Sequence, residues 1–74
     1  MNNKLTGEFV KNIRGKDRQI DFCKKINISQ PRLSKIESGE VPLSLDVAYK
    51  LYKFCKVEPK KIFDTYAKAI KKEK

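Results

Sequence analysis

Residues 17–42 read DRQIDFCKKINISQPRLSKIESGEVP, and that stretch decides the fold. Phe22, Cys23 and Ile26 recur at helical intervals, which predicts a helix capped by Asp17 and stopped at Asn27, a residue that accepts the left-handed conformation at modest cost. Only three or four residues later, Ser29 or Gln30 begins a second helix with Leu33 and Ile36 inward and Ser38-Gly39 as its close. Pro31, Ser34, Lys35 and Ser38 fall at i, i+3, i+4 and i+7 on the opposite side. That outer face is small and polar and carries one cation.

The same period continues in both directions. Upstream, Thr6 is expected to cap a helix with the stripe Phe9, Val10 and Ile13, which Leu5 staples and Gly15 ends. Downstream, Ser44 starts a helix with Leu45, Val47, Ala48, Leu51, Tyr52 and Cys55 on its apolar face and Phe54 or Tyr49 at the margin. Pro59 suits the first turn of a last helix, which runs through Ile62, Phe63, Tyr66, Ala67 and Ile70. No stretch alternates long enough to make a strand. The expectation is therefore an all-α, compact five-helix domain over residues 1–74, with a core at 5–64 and a helical extension at 65–74.

Composition then narrows the chemistry. The 74 residues include eighteen Lys plus Arg, nine Asp plus Glu and no His, for a net charge of +9. A chain of this length buries only about 60% of its unfolded surface, so a deep enzyme cleft is not expected. Without imidazole there is no histidine general base and no Cys/His zinc site. Cys23 and Cys55 stand thirty-two residues apart with no CxxC pair, and read as reduced thiols of a cytoplasmic protein. No apolar run approaches the roughly 18 residues of a membrane span, and the N-terminus has no signal-peptide core. Catalytic dyads, cofactor motifs and an effector site are all absent from this reading, which makes the chain a non-enzyme.

Two short helices across a tight turn, the second polar on one side, form a helix-turn-helix, a unit that the major groove of duplex DNA admits. Gln19, Phe22-Cys23, Ile26-Asn27-Ile28-Ser29-Gln30 and Leu33-Ser34-Lys35-Ile36-Glu37-Ser38-Gly39 together resemble the Cro and lambda-repressor-like, or XRE-like, helix-turn-helix domains. The resemblance extends from about Val10 to Phe63, and the run IESGE with a following Pro is among its more specific signatures. It implies that Gln30 reads a base edge and that Gln19 grips phosphate at the start of the second helix. It also implies a structural ion pair between Arg14 and Glu37; on the residues alone, Glu37 as plain surface charge stays open.

Four positions depart from that pattern. Arg18 stands where a small hydroxyl residue is usual, which moves the expected cap to Asp17, Cys23 replaces an Ala, and Asn27 replaces a turn Gly. Pro31 disfavours the helical region for Gln30 and itself suits the first helical position, so Gln30 either reads a base or caps the helix. Pro31 offers only apolar contact, for instance to a thymine methyl. Arg32 and Lys35 are candidate donors to guanine O6 and N7, or alternatively phosphate contacts, with Ser34 a close-approach position. Arg18, Gln19, Ser38 and Ser44 are candidates for backbone phosphate.

The last helix supplies the remaining expectation. Its stripe of Ile62, Phe63, Tyr66 and Ile70 either covers the domain's own core or meets the same stripe on a second copy, as in small Cro-like and restriction-controller proteins, with Tyr66 and Ile70 crossing. A homodimer would set two recognition helices roughly 34 Å apart, matching half-sites about 10 bp apart. Residues 1–40 carry +4 and residues 41–74 carry +5, so the excess is not concentrated on the motif, and the lysines of the rear helices read as diffuse, salt-dependent steering toward DNA, as flanking phosphate contacts or as solvated helix faces. The leading reading is a repressor-like, sequence-specific regulator that binds a palindromic double-stranded DNA operator. The competing reading is a protein-interaction module on the same scaffold, such as an antitoxin or an inhibitor of a protein partner.

Overall fold

The computed structural model of the chain describes residues 2–71. Five helices follow one another: α1 (Asn3–Arg14), α2 (Gln19–Ile26), α3 (Gln30–Glu37), α4 (Leu45–Cys55) and α5 (Pro59–Lys71). The fold is all-α, with no strand among the described residues. Val10 of α1, Phe22, Cys23 and Ile26 of α2, Leu33 and Ile36 of α3, Val47, Ala48 and Leu51 of α4, and Ile62 of α5 share one buried cluster with Leu43. Cys23 is buried there as a free thiol, and Cys55, also free, is half-buried. Helix α5 runs without a break across the expected 64/65 boundary, and residues 72–74 of the expected extension lie outside the described residues.

Several helix ends and faces differ from expectation. Helix α1 begins a turn earlier, because Asn2 is its cap: the Asn2 side-chain oxygen accepts from the Lys4 N–H at 3.1 Å. Thr6 is instead fully buried within α1, and its hydroxyl donates to the Asn3 carbonyl at 3.0 Å. Asp17 does not cap α2. The chain is extended at Arg18, which occupies the cap position without a side-chain cap bond. The Asp17 carbonyl accepts from Arg14 Nη1 at 2.6 Å.

On α4, Val47, Ala48 and Leu51 face the core, whereas Leu45 and Tyr52 of the expected apolar face are exposed. The expected stripe of α5 splits in the same way. Ile62, Tyr66 and Ala69 form the inward line, while Phe63, Ala67 and Ile70 lie on the next line, with Phe63 and Ile70 63% and 57% exposed. At 3.6 residues per turn these are adjacent rows, and only one row can face the core. The Tyr66 hydroxyl donates to the Leu43 carbonyl at 2.6 Å, which ties α5 to the segment before α4.

Candidate nucleic-acid interface

The turn between α2 and α3 takes its shape from two residues. Asn27 adopts the left-handed conformation (φ 57°, ψ 56°), and its N–H returns to the Cys23 carbonyl, which closes α2. Ser29 is extended, and its hydroxyl oxygen accepts from the Arg32 N–H at 3.4 Å, so Ser29 rather than Gln30 caps α3. Gln30 and Pro31 therefore open the helix, where the missing N–H of Pro31 forfeits no intrahelical bond. With Leu33 and Ile36 sealed in the core, Gln30, Pro31, Ser34 and Lys35 point outward as one exposed face. Ser38 is exposed at the far end, its hydroxyl donating to the Lys35 carbonyl at 3.1 Å.

The C-terminal end of α3 is clamped onto α1. Arg14 holds Glu37 with two bonds, Nε to Oε2 at 2.7 Å and Nη2 to Oε1 at 3.0 Å, and the two side chains are only 15% and 5% exposed. Gln19 Nε2 donates to the same Oε1 at 3.0 Å, so Glu37 accepts three bonds and its charge is spent inside the fold. These bonds also push the Arg14 guanidinium further up from its ordinary value, keeping it cationic. The close approach needs Gly7: a Cβ there would stand 2.5 Å from the Ile36 carbonyl oxygen and 2.7 Å from that of Glu37. Gly39 follows the clamp at φ 82°, where a Cβ would stand 3.1 Å from Lys4 Cγ and 3.3 Å from the Lys4 backbone.

The N-terminal end of α3 carries a looser cluster that the sequence did not single out. Arg32 Nη2 donates to Ser44 Oγ at 2.8 Å and to Asp46 Oδ1 at 2.9 Å, and the Ser44 hydroxyl donates to the same Asp46 oxygen at 2.5 Å. The Arg32 and Asp46 side chains are 40% and 55% exposed. Arg32, with help from Ser44, holds the Asp46 carboxyl well below the usual carboxylate range. A Ser-x-Asp run at the start of a helix is a signal for an N-terminal anion, but its partner lies fourteen residues upstream, beyond any local spacing rule. Arg32 thus leans toward α4, away from the exposed row of Gln30, Ser34 and Lys35.

The other candidates scatter around this core. Arg18 reaches along its own helix to Asp21, Nε to Oδ2 at 2.9 Å, in an exposed pair. Gln19 and Ser44 are both engaged within the fold, by Glu37 and by Asp46 and Arg32 respectively. Ile62 and Tyr66 are committed inward, and Phe63 stands exposed beside Leu45, Tyr49 and Tyr52 around an apolar cleft floored by Ala48 and Ile62. The Tyr49 and Tyr52 rings lean together at 6.2 Å. No group of His, Cys, Asp and Glu able to hold a metal ion occurs among the described residues, and no helix among them is long and apolar enough to cross a membrane.

A family model described as helix-turn-helix matches residues 11–62, well over half of the chain. No curated protein and no solved structure matched in comparison. The matched span takes in the left-handed turn at Asn27, the exposed face of α3 and the Arg14–Glu37 clamp behind it, and the chain belongs to the XRE, or Cro and lambda-repressor-like, helix-turn-helix family of DNA-binding regulators.

Proposed function

We propose that the protein is a repressor-like transcriptional regulator that binds a palindromic DNA operator sequence-specifically, as a homodimer, in the cytoplasm. One observation carries this reading: α3 sets Gln30, Pro31, Ser34 and Lys35 on a single exposed row while its other face is locked into the core. In the groove, Lys35 would donate to guanine O6 and N7, Gln30 would bridge an adenine edge, Ser34 would permit close approach, and Pro31 would meet a thymine methyl. Arg18, Gln19, Ser38 and Ser44 are the phosphate-positioning groups of this reading, Gln19 and Ser44 from side chains that also bond within the fold. Arg32 joins the base-reading set only when its bonds to α4 open.

The apolar cleft beside Phe63, with Ile70 further along the same row of α5, supports a two-fold contact between copies. Relative to the expected stripe, Phe63 and Ile70 remain available for it, whereas Ile62 and Tyr66 face the domain's own core. The same cleft is the observation that favours the second reading, a protein-interaction module. Titration of duplex from the protein's own upstream region against random duplex, over a range of salt, separates the two. A specific complex should be about 10³-fold tighter or more; equal affinity for both duplexes refutes sequence-specific regulation and leaves the protein-interaction module.

A further inference from the structure

We propose that Asp46 is a built-in competitor for DNA, its carboxylate occupying Arg32 and Ser44 in the free protein until a DNA phosphate takes its place. The inference rests on the DNA-binding reading above and deepens it. Arg32 and Ser44 were both candidates to touch nucleic acid, and both are bonded to one oxygen of Asp46. A carboxylate and a phosphate both offer an arginine anionic oxygen acceptors, so the bond to Asp46 occupies Nη2, a donor that a phosphate would otherwise take. The cluster is open to solvent, with more than half of the Asp46 side chain exposed, so exchange of one anion for the other needs no unfolding. Asp46, like any aspartate, is charged in the neutral range, and its bonds to Arg32 and Ser44 lower its carboxyl further.

The consequence is a selective brake. A random duplex offers Arg32 mainly phosphate, which does little more than replace the bond already made to Asp46. Only a site that offers additional contacts makes the exchange favourable. Asp46 therefore lowers non-specific affinity more than specific affinity, and it acts on DNA through Arg32.

The test is a salt series of binding to a random-sequence duplex for the full chain, for Asp46→Asn and for Arg32→Ala, each alone and combined. Asp46→Asn should bind about eightfold tighter at ~0.1 M salt and steepen the salt slope by about 0.9, the signature of one regained phosphate contact. In the Arg32→Ala background that gain should vanish. A gain that persists in full with Arg32→Ala would show only removal of a repelling charge, and unchanged or weaker binding by Asp46→Asn would make Asp46 a positioning residue for Arg32; either result overturns the proposal. Restrained rotation of the Arg32 guanidinium, read by nitrogen NMR in the free protein and lost in Asp46→Asn, reports the bond without DNA. If that restraint is present but no variant binds any duplex, the DNA-binding reading falls and the brake falls with it. If the restraint is absent from the wild type, the brake alone falls.

Discussion

At the C-terminal end of α3, Glu37 accepts three hydrogen bonds from Arg14 and Gln19 and is nearly sealed from water; at the N-terminal end, Arg32 meets Asp46 and Ser44 in the open. The chemistry is the same in both places, a guanidinium on a carboxylate helped by a neutral donor. Burial separates their consequences. A sealed carboxylate has no water to fall back on, so its partners are obligatory and the clamp fixes how α3 sits on α1. An exposed pair trades its bonds for water, salt or phosphate at little net cost, and so contributes little rigidity while remaining free to exchange. One short helix is thus anchored at its far end and adjustable at the end that the family uses to enter DNA.

Breaking the anchored end should have the larger effects. Glu37→Ala leaves the mostly buried Arg14 guanidinium with only its bond to the Asp17 carbonyl and removes the acceptor of Gln19, and should cost about 3 kcal/mol of unfolding free energy, measured by urea denaturation. A loss below about 1 kcal/mol would mean that water replaces the carboxylate and that the two ends differ less than their burial indicates. Gly7→Ala attacks the same contact from the other side. Its Cβ would press on backbone oxygens of Ile36 and Glu37, which cannot swing aside as a side chain would, so α1 and α3 must separate. The expected cost is about 2 kcal/mol, and a neutral result would show that the helix pair has slack.

The same contrast explains what the sequence disclosed. The inward residues of α2 and α3 were legible because Phe22, Ile26, Leu33 and Ile36 follow the helical period with polar residues between them, and the turn was legible because Asn27 is one of the few residue types that tolerates its conformation. Thr6 was a reasonable cap by type, but nothing in Asn3-Lys4-Leu5 interrupts a helix, so α1 continued back to the next capping residue, Asn2. On α5 two neighbouring rows are both apolar, Ile62-Tyr66-Ala69 and Phe63-Ala67-Ile70, and only the packing of α1 and the segment at Leu43 selects between them. The exposed patch of Leu45, Tyr49, Tyr52 and Phe63 was hidden for that reason, since apolar character alone assigned Leu45 and Tyr52 to the core. Asp46 was missed because its partner is set by how the starts of α3 and α4 approach, a tertiary distance that no local spacing encodes.

Ser29→Ala probes the adjustable end, and its effect should be the smallest. The Ser29 hydroxyl accepts from the Arg32 N–H at 3.4 Å on an exposed turn, so water can take over most of the bond. The expected loss of global stability is about 0.5 kcal/mol, at the low end for a helix cap. The local effect should be larger than the global one. Without the cap, the first turn of α3 opens more often, and amide exchange should accelerate at Arg32 and Leu33, whose N–H groups bond to Ser29, while Ile36 and Glu37, held by the clamp, keep their protection. Acceleration that spreads evenly along α3, or a global loss above about 1.5 kcal/mol, would show that the helix opens as one unit. Confinement of the change to the first turn would instead establish that α3 can loosen where it presents Gln30 and Arg32 without disturbing the end that sets its orientation.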